Sequence, residues 1–367
     1  MRGWAWIAGV SLVFGIVGMP SLSLCQPSSA LESPNEAPKH LRLSLTEHPS
    51  GAMKFAWDTV VEGPSLVSYK VDTSGSQVMK ATGKTTKPRT SPFFMHEVTL
   101  EGLLPNTEYA FSVEGQESLN EAQTFKTASE PGTGRARFAV FGDSRNDFME
   151  FNQDRWKAVA DAAAEEPIDF SLHTGDYTLT SVSPFGWEWF FDAGANLFAK
   201  APFMAVRGNH EMYGPVFEDR FSLPGNERFY SFDYGPVHVS VIDTEDRLLT
   251  RLAPDIAPVS DFGPGSEQYV WLEQDLQSVP VGMWKVVALH RPPYSVGEHG
   301  DQKDVQALVP LFDRYQVDVV FSGHDHTYQR SKPMVAGKAA EKGTVYIVTA
   351  GAGAPLYEVG EADWLQT

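Results

Sequence analysis

The chain has 367 residues, with 29 lysines and arginines against 47 aspartates and glutamates, a formal charge of −18. At about 150 residues per domain this length suggests two or three domains, and a hydrophobic fraction of 42% with 12% aromatic residues excludes wholesale disorder. The acidic balance argues against nucleic-acid binding, which needs a basic face. The single cysteine, Cys25, excludes an internal disulfide framework and any Cys-rich zinc site.

In chain order, Arg2 precedes an apolar run from Trp4 to Met19, closed by Pro20 and a Ser-rich stretch. The run is short for a membrane span, so residues 1–25 read as a secretory signal peptide. In Leu22-Ser23-Leu24-Cys25, the cysteine stands where a bacterial lipoprotein carries its lipid, with Leu24 in place of the usual small residue. Cleavage after Ala30 is the alternative. The expected location is secreted, periplasmic or in the cell envelope, with a lipid anchor on Cys25 as the one membrane attachment. Residues 26–38 are rich in Pro, Ser and Glu and read as a linker.

From residue 39 to 128, period-two runs predict the strands of an all-β sandwich: Leu41-Leu43-Leu45, Met53-Phe55-Trp57, Val67-Tyr69-Val71, His96-Val98-Leu100 and Tyr109-Phe111-Val113. The segment from Leu103 to Tyr109 resembles the late-strand corner of a fibronectin type III domain. No titratable cluster stands out there, and the expected role is structural. After the Pro/Gly stretch at 130–134 the pattern changes, and residues 136–367 predict a layered α/β (α+β) domain. Strands are expected at 138–141, 168–172, 203–206, 284–289 and 317–321. Phe148, Phe151, Trp156, Val159 and Ala163 mark one helix, and Val305, Leu308, Leu311 and Phe312 another. Tyr230 to Asp243, folded at Gly235-Pro236, reads as an antiparallel hairpin, which makes the sheets mixed.

The polar groups at the strand ends carry the chemistry. They read Gly142-Asp143, Gly175-Asp176, Gly208-Asn209-His210-Glu211, His290 and Gly323-His324-Asp325-His326. Ligand sites in α/β sheets form beyond the carboxyl ends of strands. The glycines are expected to turn the backbone and leave room for the side chains next to them. Two carboxylates, an Asn carboxamide and four imidazoles on one rim suit two metal ions sharing a bridging carboxylate, without cysteine. Such a centre would supply the positive charge that a phosphate ester needs and the composition lacks. His173 lies inside a strand and reads as a packed histidine. His40, His48, His96 and His238 have no partner motif and read as ordinary.

This ordered set resembles the metallophosphoesterase superfamily, most closely its purple acid phosphatase branch, which has Glu after Asn-His and an N-terminal fibronectin-like domain. Gly351 to Tyr357 is similar to the family's late strand-turn segment. The resemblance implies a four-layer-type catalytic domain. Asp143 and His326 would bind a first metal, Asp176 would bridge, and Asn209, His290 and His324 would bind a second. His210 would protonate the leaving alkoxide, and His299 would contact substrate. Two positions depart from the branch. Leu179 replaces the tyrosine that ligates ferric iron, with Tyr177 expected to point elsewhere, and Arg145 replaces the histidine of the wider superfamily. The implied centre is colourless, holds two ions of Fe, Zn or Mn, and has a looser first metal. Arg145 would hold a phosphate oxygen of the substrate or form a surface ion pair.

The expected function is thus an exported phosphomonoesterase acting on a small phosphate ester through a metal-bound hydroxide. The alternatives are a phosphodiesterase or nucleotidase at the same site, or a non-catalytic surface protein with a degenerate phosphatase domain. Residues 180–200 and 245–265 are expected to form the substrate pocket. Within them Phe185, Trp187, Trp189, Phe190 and Phe191 read as helix core or as a stacking surface for a base.

Overall fold

Alternating apolar residues put one face of each early strand into a common core. Met53, Phe55, Trp57 and Val67 are fully buried, and Val98, Leu100, Tyr109, Phe111 and Val113 nearly so. The computed structural model describes residues 37–116, 123–146, 154–211, 216–245 and 262–367. The expected signal peptide, Cys25 and nearly all of the linker lie outside them.

Eight strands form the sandwich: β1 (Lys39–Ser44), β2 (Ala52–Thr59), β3 (Leu66–Val71), β4 (Met79–Thr82), β5 (Lys84–Thr86), β6 (Phe94–Glu101), β7 (Glu108–Val113) and β8 (Gln123–Lys126). Two four-stranded sheets result, in the orders β1-β2-β6-β5 and β4-β3-β7-β8. The five alternating runs account for β1, β2, β3, β6 and β7. The short, mostly exposed β4 and β5 carry no apolar alternation. The Leu103–Tyr109 corner is closed by a bond from Leu104 N to the Tyr109 hydroxyl at 2.9 Å, the side chain-to-backbone tie of a tyrosine corner.

The second half contains β9 (Phe138–Phe141), α1 (Asp154–Glu165), β10 (Phe170–His173), α2 (Pro184–Ala193), α3 (Ala195–Lys200), β11 (Phe203–Ala205), β12 (Tyr230–Tyr234), β13 (Val237–Val241), α4 (Glu267–Ser278), β14 (Trp284–Ala288), α5 (Val309–Tyr315) and β15 (Val319–Ser322). It ends with β16 (Tyr328–Arg330), β17 (Met334–Val335), β18 (Lys338–Ala339) and β19 (Val345–Thr349). A parallel sheet, β11-β10-β9, faces a mixed sheet, β12-β13-β14-β15-β19-β16. Phe138 meets Phe321 across the gap, and Phe170 meets Phe232 and Tyr234. Outside the first sheet lie α1 to α3, where Trp156 stacks on Phe190 at 5.3 Å. Outside the second lie α4 and α5, with Leu272, Leu276, Leu311 and Phe312 packed against Val287 and Val320. These are the four layers expected, with mixed sheets.

One expected helix is divided. Val305–Leu308 is a 3₁₀ turn, and α5 begins anew at Val309. Pro310 has no N–H to donate and sits best in a helix's first turn.

Sandwich and α/β layers meet along β1. Arg42 Nε donates to Arg220 O at 2.8 Å, and His40 stacks on Phe191 at 5.3 Å while bonding Asp58 at 2.8 Å. Asp192 lies 3.5 Å from the other His40 nitrogen. The sandwich therefore does carry a titratable cluster, contrary to expectation. Its partners are far apart in sequence, so no local motif announces them. His96, read as ordinary, stacks on Trp57 at 5.0 Å and bonds Thr59 and Ser65.

His238 is likewise not ordinary. On β13, its ring nitrogens lie 2.7 Å from Asp233 and 3.0 Å from Asp275. Burial pushes its pKa down, but the two carboxylates outweigh that and raise it to about 9. A folded pKa above the unfolded value of about 6.5 gives stabilisation that is complete below pH 6.5 and lost as pH rises through 9. The limit is roughly 3 kcal/mol. In urea unfolding, the stability gap between wild type and His238→Gln should therefore narrow between pH 6 and pH 10; a constant gap would contradict the linkage.

Candidate metal centre

The carboxyl ends of β9, β10, β11, β14 and β15 deliver Asp143, Asp176, Asn209, His290, His324 and His326 to one rim. Three of these, Asp143, Asp176 and His324, have φ of 59°, 61° and 69°, a left-handed backbone uncommon outside glycine and frequent at functional sites. The turning residue is thus often the donor itself, and of the glycines before these donors only Gly175 has positive φ. The expected room is real. A Cβ on Gly323 would stand 2.5 Å from Asp143 Oδ2, one on Gly175 2.6 Å from His290 Nδ1, and one on Gly208 would collide with Asp176.

The two carboxylate oxygens of Asp176 face different groups. Oδ1 lies 3.3 Å from His290 Nε2. Asn209 Oδ1 lies 2.9 Å from that nitrogen and 2.8 Å from His324 Nδ1. His290 Nδ1 bonds the Thr174 carbonyl at 2.7 Å, so in a neutral ring the proton sits on Nδ1 and Nε2 is bare. Two acceptors then face each other at 2.9 Å, which a cation between them resolves. Donors about 2.1 Å from one ion stand roughly 3 Å apart, so this set, the second position, fits a metal ion.

Asp176 Oδ2 faces the other way, toward His210 Nε2 and Arg145 Nε, both at 3.7 Å. Asp143 Oδ1 stands 3.5 Å from His326 Nε2, and both Asp143 oxygens accept the His324 N–H, at 3.1 and 3.0 Å. His326 Nδ1 donates to Pro355 O at 2.9 Å, so in a neutral ring Nε2 is the acceptor nitrogen. Asp143, Asp176 and His326 are the residues expected at the first position; the three whose donor atoms can approach one common ion are Asp143, Asp176 and His290. Burial favours the neutral acid at both carboxyls. At Asp176 positive charge on the neighbouring His290 and His210 rings would overcome it, lowering the pKa to about 2. At Asp143 burial prevails over His290, and the charge of Asp176 adds to it, keeping the pKa well up. A cation at the site would let Asp143 ionise beside the charged Asp176.

His210 sits beside this pair, its Nδ1 donating to Leu179 O at 2.6 Å. His299 stacks on His324 at 4.4 Å, and its N–H donates to Asp325 at 2.9 Å. His173 is fully buried against Tyr177 at 4.3 Å and bonds Ser144, as expected of a packed histidine. Tyr177 turns away, its hydroxyl donating to Val206 O at 2.8 Å. Trp187, Phe190 and Phe191 are helix core. Residues 246–261 of the expected pocket lie outside the described residues.

Three supporting residues have no role in the sequence reading. Glu211 is fully buried and accepts the N–H groups of Asp176, Tyr177 and Gly208 at 2.9, 3.0 and 3.1 Å. Asp325 ties the 295–299 loop through Ser295 and His299. Tyr357 stacks on His326 at 4.3 Å. Glu211 and Asp325 stand inside motifs already singled out; the signal was a carboxylate closing one motif and, at Asp325, one lying between two histidines.

Residues 136–328, more than half the chain, match the calcineurin-like phosphoesterases. The chain belongs to that family. Residues 38–127 of this phosphoesterase match the purple acid phosphatase N-terminal domain. Human acid phosphatase type 7 is 28% identical over 88% of this chain and 80% of its own length. Purple acid phosphatase 22 of Arabidopsis thaliana is 30% identical over 77% of this chain and 64% of its own. A purple acid phosphatase from yellow lupin (Lupinus luteus) seeds shares the fold, with a TM-score of 0.75 and 21% identity over 90% of this chain and 68% of that one.

Proposed function

We propose that this phosphoesterase is an exported hydrolase of phosphate monoesters with a dinuclear metal centre. The observation that carries the reading is the buried group Asp143, Asp176 and His290, whose donor atoms can approach one ion, with Asn209 Oδ1 set between His290 and His324 beside it. The acid phosphatase names of the two relatives support the reaction class, and the apolar run at 4–19 supports export. Bound ions of Fe, Zn or Mn would supply an acidified water as nucleophile and neutralise the phosphoryl oxygens. Asp176, Asn209, His290 and His324 would hold one ion; Asp143, His326 and Asp176 would hold the other. Leu179 offers no phenolate, so the protein is colourless.

The protein's own contribution is orientation and a proton. With Nδ1 donating to Leu179 O, His210 presents its second proton on Nε2, the open side of the ring. That proton would pass to the leaving alkoxide. Arg145 and His299 would meet the substrate, and the fork of Arg145 suits a phosphoryl oxygen.

Burial pushes the His210 pKa below its ordinary value, Asp176 only partly opposing this. The acid form is therefore lost as pH rises from acid toward neutral, and alkyl phosphates, with poor leaving groups, should slow most. Replacing His210 with Ala should cost alkyl esters about 10²–10⁴-fold and p-nitrophenyl phosphate much less. Equal losses on both esters would remove His210 from the acid role, and diester turnover above monoester turnover would make the protein a phosphodiesterase.

A further inference from the structure

We propose that Arg145 competes with the metal of the first position, so that the protein holds one ion tightly and the other weakly. The inference rests on the dinuclear reading and gives the looser first metal, expected there from its missing ligands, a residue that opposes it.

Backbone bonds place the arginine. Asp143 N donates to Gly175 O at 2.9 Å and Arg145 N to Asp176 O at 3.2 Å, so residues 143–145 run beside 175–176. The side chain is held at Asp176 by that pairing. Its Nε lies 3.7 Å from Asp176 Oδ2, and one terminal nitrogen lies 3.4 Å from His326 Nε2. Two of the three donors of the first position therefore face a cation that does not deprotonate in proteins. Nε is buried without a hydrogen-bond partner. Among the described residues no bidentate carboxylate pair satisfies the guanidinium, and its positive charge lies against the donors themselves.

The second position is built differently. Its nearby arginine, Arg291, is committed to Thr244 O at 2.9 and 2.6 Å and to Asp304 at 2.8 Å. Four donors gather there, against three at the first position, where Leu179 supplies none and lends its carbonyl to His210. The guanidinium gives the buried Asp143–Asp176 pair a positive charge that a second ion would otherwise bring. A cation already in place lowers the gain from binding another. Arg145 can meet a substrate phosphate only by turning from these donors, so the two roles alternate.

The test is metal titration of the full chain after chelation, with Mn(II) or Zn(II) alone, read by calorimetry and elemental analysis. Wild type should bind one equivalent tightly and the second roughly 100-fold more weakly. Arg145→Ala and Arg145→His should each bring the second within about tenfold of the first, leaving the first equivalent unchanged. Arg145→Lys, which keeps the charge, should not. Thermal melting identifies any variant that fails to fold, and the remaining variant then carries the comparison. Two equally tight equivalents in wild type would overturn the inference and leave the hydrolase reading standing. So would an unchanged second equivalent in a folded Ala or His variant. A protein that binds no metal at all would overturn both.

Discussion

Replacing Asn209 with Ala is expected to lower kcat/KM for a phosphate monoester by about 10³-fold and to leave the folded protein otherwise intact. Asn209 Oδ1 is the shared partner of His290 Nε2 and His324 Nδ1, so its loss removes the atom on which the second position converges. Changing a group that merely orients a metal ligand costs 10–100-fold in affinity or activity, and removing a ligand costs more. Asn209 lies in a short 3₁₀ turn, partly exposed, with no role in the core. Its thermal midpoint should therefore stay near that of wild type, while bound metal, measured by elemental analysis after dialysis, falls to the first-position ion or below. Unchanged turnover would favour a non-catalytic role for the whole domain.

Glu211→Ala should act in the opposite way, through stability. The Glu211 carboxylate is fully buried, and Oε2 accepts from Asp176 N and Gly208 N while Oε1 accepts from Tyr177 N. Alanine would leave three buried N–H groups without acceptors. At about 1–2 kcal/mol each, the loss is roughly 3–6 kcal/mol, a large part of a domain's margin. Glutamine is a sharper probe, because its single oxygen can serve only one side and its NH₂ would confront a backbone donor on the other. Urea unfolding should rank wild type above Gln and Gln above Ala, with metal affinity following the same order because Asp176 N and Gly208 N set the backbone that carries the Asp176 carboxylate. Gln at wild-type stability would mean that these N–H groups find other partners.

The candidate site was legible because its chemistry is local in sequence. Each of Asp143, Asp176, Asn209, His290, His324 and His326 comes just after a strand, and most come just after a glycine whose side-chain space a neighbouring group occupies. The sandwich was legible where one face is apolar, as at Met53, Phe55 and Trp57, and not where a strand is short and polar, as at Lys84–Thr86. Long-range polar pairings were hidden. His40 meets Asp192 and His238 meets Asp275 only once the chain has folded. Pro310 was visible as a residue, yet its effect on the 305–315 helix depended on which turn it entered. The left-handed backbone at Asp143, Asp176 and His324 was also out of reach, since their glycine neighbours offered an easier place for the turn.

The most direct measurement is hydrolysis of matched phosphate mono- and diesters by the protein from Gln26 onward, after chelation and again after adding back Fe, Zn or Mn. Chelated protein is expected to be inert, one of these metals to restore turnover, and monoesters to be preferred. A folded protein that hydrolyses neither ester with any of the metals would contradict the assignment of a metal-dependent phosphatase.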